Sequence, residues 1–436
     1  MTNLNAYDVL VCGAGVGGIA SARALSELGL RVLLIDRQLA PPRIAKGEVL
    51  QPGALRILRK WGTDRLLRER GAVTLNRLVI REPDGSAALT LDYRQLPPDD
   101  QQLLVHDHHV ILAALTDSLG PNVEVRRGTL VREALTDTTG RVTGLRLEQH
   151  GVNTHVYAPL VVAADGLASR LRRTTGIWGT RKNYPHRLLS LDLTDPAWRP
   201  EDFSAFLTRR GLRLAYPLPE GRLRLYLQTR PDELRGLQHD QLHDWTSRAL
   251  AEIPALDSLK PSLPAALDHR QIFSVARFLT ERLVTPGMAL IGEAAYAVHP
   301  MAAQGMNTAI TSAAALADQL ARQLRKPASR ANTPTRTAAA PRLNATAVDA
   351  ALNAYQTEQL PHLARTQQLS ANAARMVTSV SLPTRLVGHR MMRRTGTNPR
   401  LLHTITNNLA GTAPHLPLTT LDRLRQIGLL PKHTAM

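Results

Sequence analysis

Residues 8–18 read Asp8-Val9-Leu10-Val11-Cys12-Gly13-Ala14-Gly15-Val16-Gly17-Gly18. A short apolar run ends in a glycine-rich turn. From Ile19 onward apolar residues recur at Ala22, Leu25 and Leu28 with small residues between, which is helical spacing. Gly29 ends that helix, and Arg31 to Ile35 is a second apolar run closed by Asp36. Residues 8–36 therefore predict strand, tight turn, helix, strand. In such a unit Gly13 makes the turn, Gly15 lets backbone amides approach a pyrophosphate, and Gly18 lets helix and strand pack closely. The helix N-terminus offers its positive end to phosphates. Asp36 stands 18 residues after Gly18 and can accept hydrogen bonds from ribose hydroxyls. The unit predicts dinucleotide binding without separating a nicotinamide from a flavin.

Further along, residues 53–62 predict a helix ending at Gly62, and Val105–Leu119 a helix with a His-rich entry. Val123–Val125 and Val142–Glu148 alternate like strands, and Leu160–Ala164 is a buried strand running into Asp165-Gly166. Residues 176–285 change character. Pro-bounded alternating runs such as Leu212–Tyr216 and Leu223–Leu227 predict a two-faced β layer. Tyr216 and Tyr226 lie on it, either packed in its core or facing a ligand. Met288–Ile291 returns to a buried strand and Asn307–Leu324 to a helix. Lys326–Thr346 is rich in Pro, Thr, Ala and Arg without periodicity and predicts a flexible insertion. Helix resumes to about Ala374, and Pro383, Pro399, Pro414 and Pro417 cut the tail into short helices.

The chain has 436 residues, 43% hydrophobic, enough for a sizeable core. Aromatics at 4% are too few for a base-stacking binder, and no nucleic-acid partner is expected. The single cysteine, Cys12, excludes an intrachain disulfide framework and a multi-cysteine zinc site; it is expected to be buried and inert. His106, His108 and His109 lack a fourth ligand, so no metal is expected. No apolar run nears the ~20 residues that span a bilayer. No basic region precedes the first apolar run, so no signal peptide is read and a reducing cytoplasm is expected. The net charge is +18. Residues 375–436 hold nine basic side chains against Asp422, a balance of 9 − 1 = +8. That reads as a solvated Arg-rich face or as a surface for an anionic partner. Peripheral contact with the inner face of a membrane, through Leu416–Leu430, is the sharper expectation. Oligomeric state is not legible.

Two further segments bear on the cofactor. One is Val161-Val162-Ala163-Ala164-Asp165-Gly166-Leu167-Ala168-Ser169-Arg170-Leu171-Arg172. The other is Gly292-Glu293-Ala294-Ala295-Tyr296-Ala297-Val298-His299-Pro300, continuing Met301-Ala302-Ala303-Gln304-Gly305-Met306-Asn307. In this order and at these spacings, over roughly residues 6–324, the chain resembles the single-component (class A) FAD-dependent monooxygenases of the para-hydroxybenzoate hydroxylase type. The resemblance implies an α/β fold: a Rossmann-like FAD-binding domain interleaved with a β-sheet substrate domain, then a helical C-terminal region. The FAD-binding domain would occupy 1–175, with part of the substrate layer at about 72–105, and return at 286–325. The substrate layer would fill 176–285. A flexible insertion at 326–347 and a basic helical region at 348–436 would follow.

The resemblance also implies roles. Gly13, Gly15 and Gly18 would hold the FAD pyrophosphate and Asp36 the adenosine ribose, with Arg37 and Gly47 also at the cofactor. Asp165 and Gly166 match a motif linked to FAD and the pyridine nucleotide. Gly292 and Glu293 match the flavin-side ribose motif. Pro300 would sit beside the reactive edge of the ring, and Gln304, Gly305, Met306 and Asn307 at a helix N-terminus facing its pyrimidine oxygen. His108 is the match for a residue reaching toward the flavin, and Arg43 for one that neutralises a phosphate or guards the ring. Glu293 replaces the usual Asp, Tyr296 a frequent His, and Ala163 and Ala303 stand where Gly is common, a mild steric change.

The activity implied uses NADPH or NADH and O2 to hydroxylate or epoxidise an aromatic, polyketide or quinone-like small molecule through a flavin C4a-hydroperoxide, in secondary metabolism. Alternatives are a geranylgeranyl-type double-bond reductase, a flavin-dependent halogenase and a non-catalytic flavin-fold binding protein. The halogenase's Trp-x-Trp-x-Ile-Pro segment and catalytic lysine are missing: no lysine lies between Lys60 and Lys182.

Overall fold

The computed structural model describes residues 6–325, 343–412 and 416–429. Strand Val9–Cys12 sits inside a mostly parallel sheet ordered Val284–Thr285, Met288–Leu290, Leu160–Ala163, Val9–Cys12, Val32–Ile35, Val123–Arg126. Val9 lies opposite Val32 on one side and Leu160 on the other. All four of its residues are buried, which explains why the run is continuously apolar rather than alternating. Helix Val16–Ser26 packs on helices Gly305–Leu324 and His108–Asp117, and the meander Leu130–Tyr157 backs the Leu160–Ala163 strand.

A second sheet runs Tyr296–Ala297, Gln271–Thr280, Gly179–Leu193, Leu223–Thr229, Gly211–Pro217, Phe203–Thr208, Arg77–Arg81, Ala87–Asp92. Its strands come from 77–92, 179–229, 271–280 and 296–297, so the chain leaves the first sheet and returns to it. Period-2 alternation splits its faces. Leu223, Leu225 and Leu227 face helices His239–Leu250 and Leu263–Asp268. Leu188, Leu212, Leu214, Tyr216 and Tyr226 face the opposite way. The sequence pattern shows the two faces but not those helices, which cover the outer one; with both faces packed, every residue of Leu223–Thr229 is buried.

Three expectations need adjustment. The helix expected from Val105 begins at His108, because Leu103–Val105 is a strand paired with Val49–Leu50 and Val73–Leu75. Residues 326–342 of the expected insertion lie outside the described residues. Its C-terminal end is regular: the Asn344 side chain accepts the Ala347 amide at 2.8 Å and caps helix Ala345–Thr378, four residues longer than expected at its far end.

The tail forms helices Leu382–Gly396, Pro399–Ala410 and Thr420–Ile427. Met392, Leu401 and Ala410 are buried, and the Gln304 Nε2 donates to the Leu409 carbonyl at 2.9 Å, so the tail closes onto the rest of the chain. Helix Thr420–Ile427 turns Asp422 and Gln426 inward and leaves Leu421 exposed; Leu430 lies outside the described residues. Among the described residues no helix is long and apolar enough to cross a membrane.

Candidate active site

The two sheets meet over one cavity with about 1280 Å³ of open space. Gly15 to Gly17 form one end. Lys46, Gly47 and His108 line one side, Gly292, Glu293 and Tyr296 the other. Beyond Pro300, Met301, Gly305 and Met306, the cavity opens onto Leu188, Phe203, Leu212, Leu214, Tyr216 and Tyr226 of the second sheet. Polar backbone lies at one end and an apolar wall at the other.

The glycines of the turn differ in what they face. Gly13 has φ +101, and a Cβ on it would lie 2.4 Å from the Ala164 carbonyl oxygen. A Cβ on Gly18 would lie 1.7 Å from the Gly13 oxygen, whereas one on Gly15 would have no atom within 4 Å. So Gly13 and Gly18 answer to packing, and Gly15 opens on the cavity. Asp36 accepts the Ala14 amide at 2.5 Å and the Gln38 amide at 2.7 Å. Arg37 and Arg43 are exposed and do not line the cavity. Gly166 (φ +84) and Gly292 (φ +64) do line it. Asp165 Oδ2 accepts the Arg170 and Leu171 amides, while its Oδ1, and Tyr296 Oη on the cavity wall, are buried without a partner among the described residues.

Gly47 takes φ +72 and its carbonyl oxygen lies 3.0 Å from His108 Nδ1. A carbonyl only accepts, so Nδ1 carries the proton and Nε2 is left as acceptor. Burial lowers the His108 pKa below the ordinary imidazole range. Lys46 and Glu293 form an ion pair across the cavity. Gln304 and Asn307 do not line it. Asn307 Oδ1 accepts the Gln51 amide at 2.7 Å, so these two side chains position the helix that Gly305 opens. Ala303 stands at φ +48, which corrects the expectation of a mild replacement: a side chain there holds a left-handed backbone, at a cost of about 1 kcal/mol. The three histidines separate. His106 Nε2 lies 3.0 Å from the Arg70 carbonyl oxygen. Among the described residues no cluster of His, Cys, Asp or Glu is placed to hold a metal.

Sequence reading missed the most elaborate part. Glu48, 2% exposed, takes Arg224 Nη2 at 2.8 Å and Nε at 3.0 Å, and the Tyr216 hydroxyl at 2.7 Å. Tyr226 donates to the Ala45 carbonyl at 2.5 Å. Asp192 lies 3.5 Å from Arg224 and 2.7 Å from Arg222. Burial pushes the Glu48 carboxyl up, and Arg224 and the Tyr216 hydroxyl pull it back. Burial drives the Tyr216 and Tyr226 phenols well above their ordinary range, so both keep their protons. The signal available in sequence was Glu48 beside Gly47, and Arg224 between Leu223 and Leu225; nothing local joins them.

Behind Pro300, His299 Nε2 lies 3.0 Å from His186 Nε2. The Met301 amide donates to His299 Nδ1 at 3.2 Å, so the neutral His299 carries its proton on Nε2 and gives it to His186. Burial lowers the His186 pKa to about 4 and that of His299 further below its ordinary value. The unfolded chain then binds more protons than the folded one below an unfolded value of about 6.5, so stability falls as pH drops from there to about 4. We expect His186 alone to account for roughly 3 kcal/mol across that window. Urea midpoints measured from pH 7 to pH 4 should fall, and fall less in His186→Asn; equal slopes would contradict the neutral pair.

A glycine-lined turn at the end of a parallel sheet, whose cavity continues to a second sheet, defines a two-part α/β fold. The chain belongs to the FAD-binding domain family, whose profile matches residues 6–351. Squalene epoxidase 5 of Arabidopsis thaliana is 26% identical over 309 residues, 69% of this chain and 59% of that protein. The chain thus spans about six-tenths of that relative's length. PqsL of Pseudomonas aeruginosa, solved in complex with 2-aminobenzoylacetate, matches with a TM-score of 0.71 and 21% identity, over 93% of this chain and 99% of PqsL. The p-nitrophenol 4-monooxygenase PnpA of Pseudomonas putida DLL-E4 matches with a TM-score of 0.75 and 17% identity, over 94% and 99%. The structural likenesses establish the class A FAD-dependent monooxygenase fold.

Proposed function

We propose that this protein is an FAD-dependent monooxygenase that uses NADPH or NADH and O2 to hydroxylate or epoxidise an aromatic, polyketide or quinone-like molecule. The observation that carries it is the single cavity joining the Gly15 turn, Pro300 and the apolar wall of the second sheet. The residues fit the cofactor: Gly15 leaves open space, and Asp165 Oδ1 and Tyr296 Oη are buried acceptor and donor that need a partner. The turn amides and the N-terminus of helix Val16–Ser26 would meet the pyrophosphate. Asp36 would take a ribose hydroxyl on its remaining lone pairs. Glu293, held by Lys46, would take the flavin-side ribose, and the exposed Arg37 and Arg43 would meet phosphate charge from the solvent side.

FAD, when bound, supplies acceptance of hydride from the nicotinamide and activation of O2. The Gly305 and Met306 amides at a helix N-terminus would favour negative charge on the ring. His108, neutral, would offer Nε2 as an acceptor. The apolar wall excludes water from the reacting site and takes an apolar or aromatic substrate. Tyr216 and Tyr226 keep their protons and are tied to Glu48 and Ala45, so neither acts as a base.

The test is to load the protein with FAD, record its visible spectrum, and follow NADPH and NADH oxidation with and without oxygen over a panel of phenols and quinones. We expect bound flavin and oxygen-dependent oxidation that the panel stimulates. Bound flavin with oxygen-independent turnover would move the assignment to a double-bond reductase. Protein that takes up no flavin would overturn the cofactor assignment itself.

A further inference from the structure

A second cavity, with about 2030 Å³ of space open to solvent, lies behind the His186–His299 pair. His186 lines it, while Val298 and Pro300, on either side of His299, line the first cavity, so one imidazole pair separates the two. Its walls carry seven Lys or Arg side chains against one carboxylate, Glu233. That carboxylate is engaged: Trp245 Nε1 donates to it at 3.1 Å and the Arg230 amide at 2.9 Å. Arg210 pairs with Glu252 at 2.9 Å. Among the described residues no ion-pair partner is found for Lys182, Arg277 or Arg375.

Arg213 is the decisive residue. It is 0% exposed, and its Nε and Nη1 reach the carbonyls of Ala249, Leu212 and Gln228. Its Nη2 is buried without a partner, and Arg213 is one of the residues of the cavity wall. Tyr184 Oη, on the same wall, is also buried and unpartnered, within the field of Arg277 and Arg375. A buried guanidinium with an unmet N–H is costly unless an anion completes it. Several donors converge on this space and its one acid is already spoken for.

We propose that this cavity is a separate site that binds the oxyanion, carboxylate or phosphate, of a small organic molecule. It goes beyond the flavin reading of the first cavity, which lies on the other side of the His186–His299 pair. Apolar walls at Pro185, Ala249 and Trp245 suit an organic body rather than a free inorganic ion. The oxyanion has two sources, the carboxylate of an organic acid or the phosphates of a nicotinamide nucleotide, and the experiment separates them.

The FAD-loaded full chain is titrated with 1-pyrenebutyrate, with neutral 1-pyrenebutanol and with NADP+, following Trp245 fluorescence; Trp245→Phe confirms the origin of the signal. We expect an anion to bind more tightly than pyrenebutanol. The double variant Arg277→Gln/Arg375→Gln should weaken that anion by about 10-fold or more and leave the neutral probe unchanged. Tight pyrenebutyrate binding assigns the site to an organic acid, tight NADP+ binding to a nicotinamide nucleotide. If the double variant does not fold, Lys182→Gln, at an exposed position, replaces it with a smaller expected loss in the same direction. Equal affinity for anionic and neutral probes, or a folded variant that binds anions like the parent, would overturn the proposal. Binding needs no turnover, so flavin content and oxygen dependence report on the monooxygenase reading separately.

Discussion

Gly15→Ala folds as the parent does and loses FAD affinity by about 100-fold, or about 2.7 kcal/mol, while Gly18→Ala loses the fold. The two glycines belong to one motif, and the tertiary surroundings set them apart. Gly15 has φ −78 and ψ −179, a backbone that alanine adopts freely. Nothing stands within 4 Å of its added methyl, so the stability of the cofactor-free protein should stay within about 1 kcal/mol. That methyl would occupy the space through which the turn's amides would approach a pyrophosphate. At Gly18 the methyl would stand 1.7 Å from the Gly13 oxygen and 3.4 Å from the Ala164 Cβ. Backbone on that side cannot yield without separating helix Val16–Ser26 from its sheet. Forced overpacking costs 1–3 kcal/mol in tolerant cores, and more where backbone is struck. The checks are FAD titration by flavin fluorescence and urea unfolding of the cofactor-free protein. Parental FAD affinity in Gly15→Ala would refute the cradle, and a stable Gly18→Ala would refute the packing.

The other large effect is expected at Glu48. Removing it by Glu48→Ala leaves Arg224 buried with only Asp192 at 3.5 Å and Asp107 at 4.0 Å to answer its charge. Breaking one side of a buried pair costs about 3–5 kcal/mol. The Tyr216 hydroxyl loses its acceptor at the same time. Replacing both partners, in Glu48→Leu/Arg224→Met, should recover most of that loss, because two well-packed apolar residues need no compensation. The cost should also reach the site: Glu48 follows Gly47, whose carbonyl holds His108, so FAD affinity should fall along with stability. Urea midpoints of the single and double variants decide it. A single variant within about 1 kcal/mol of the parent would show that the pair stabilises nothing.

Much of this molecule is legible locally. The demands of a turn, a strand or a helix act over a few residues, so Gly13, Gly15, Gly18 and the apolar spacing from Ile19 to Leu28 are readable without a partner in view. The same holds for the alternating Leu223, Leu225 and Leu227, whose period of two separates the faces of a sheet. Two departures, Ala303 and Glu293, were visible as letters but not as consequences. The φ of +48 at Ala303 and the Lys46 partner of Glu293 appear only once the chain has closed. Gln304 and Asn307 look like site residues by position, yet their side chains bond the Leu409 carbonyl and the Gln51 amide.

By itself, then, the sequence determined the glycine-rich turn with its flanking strands and helix and the two-faced layer, because each follows from backbone and side-chain geometry over a few neighbouring positions. Tertiary structure alone decided the union of the two sheets over one cavity, the Glu48–Arg224 pair, the His186–His299 partition and the basic chamber around Arg213. Their partners lie from about 15 to 176 positions apart in the chain. Burial, which gives such contacts their energy, is a property of the closed chain and of no segment in it.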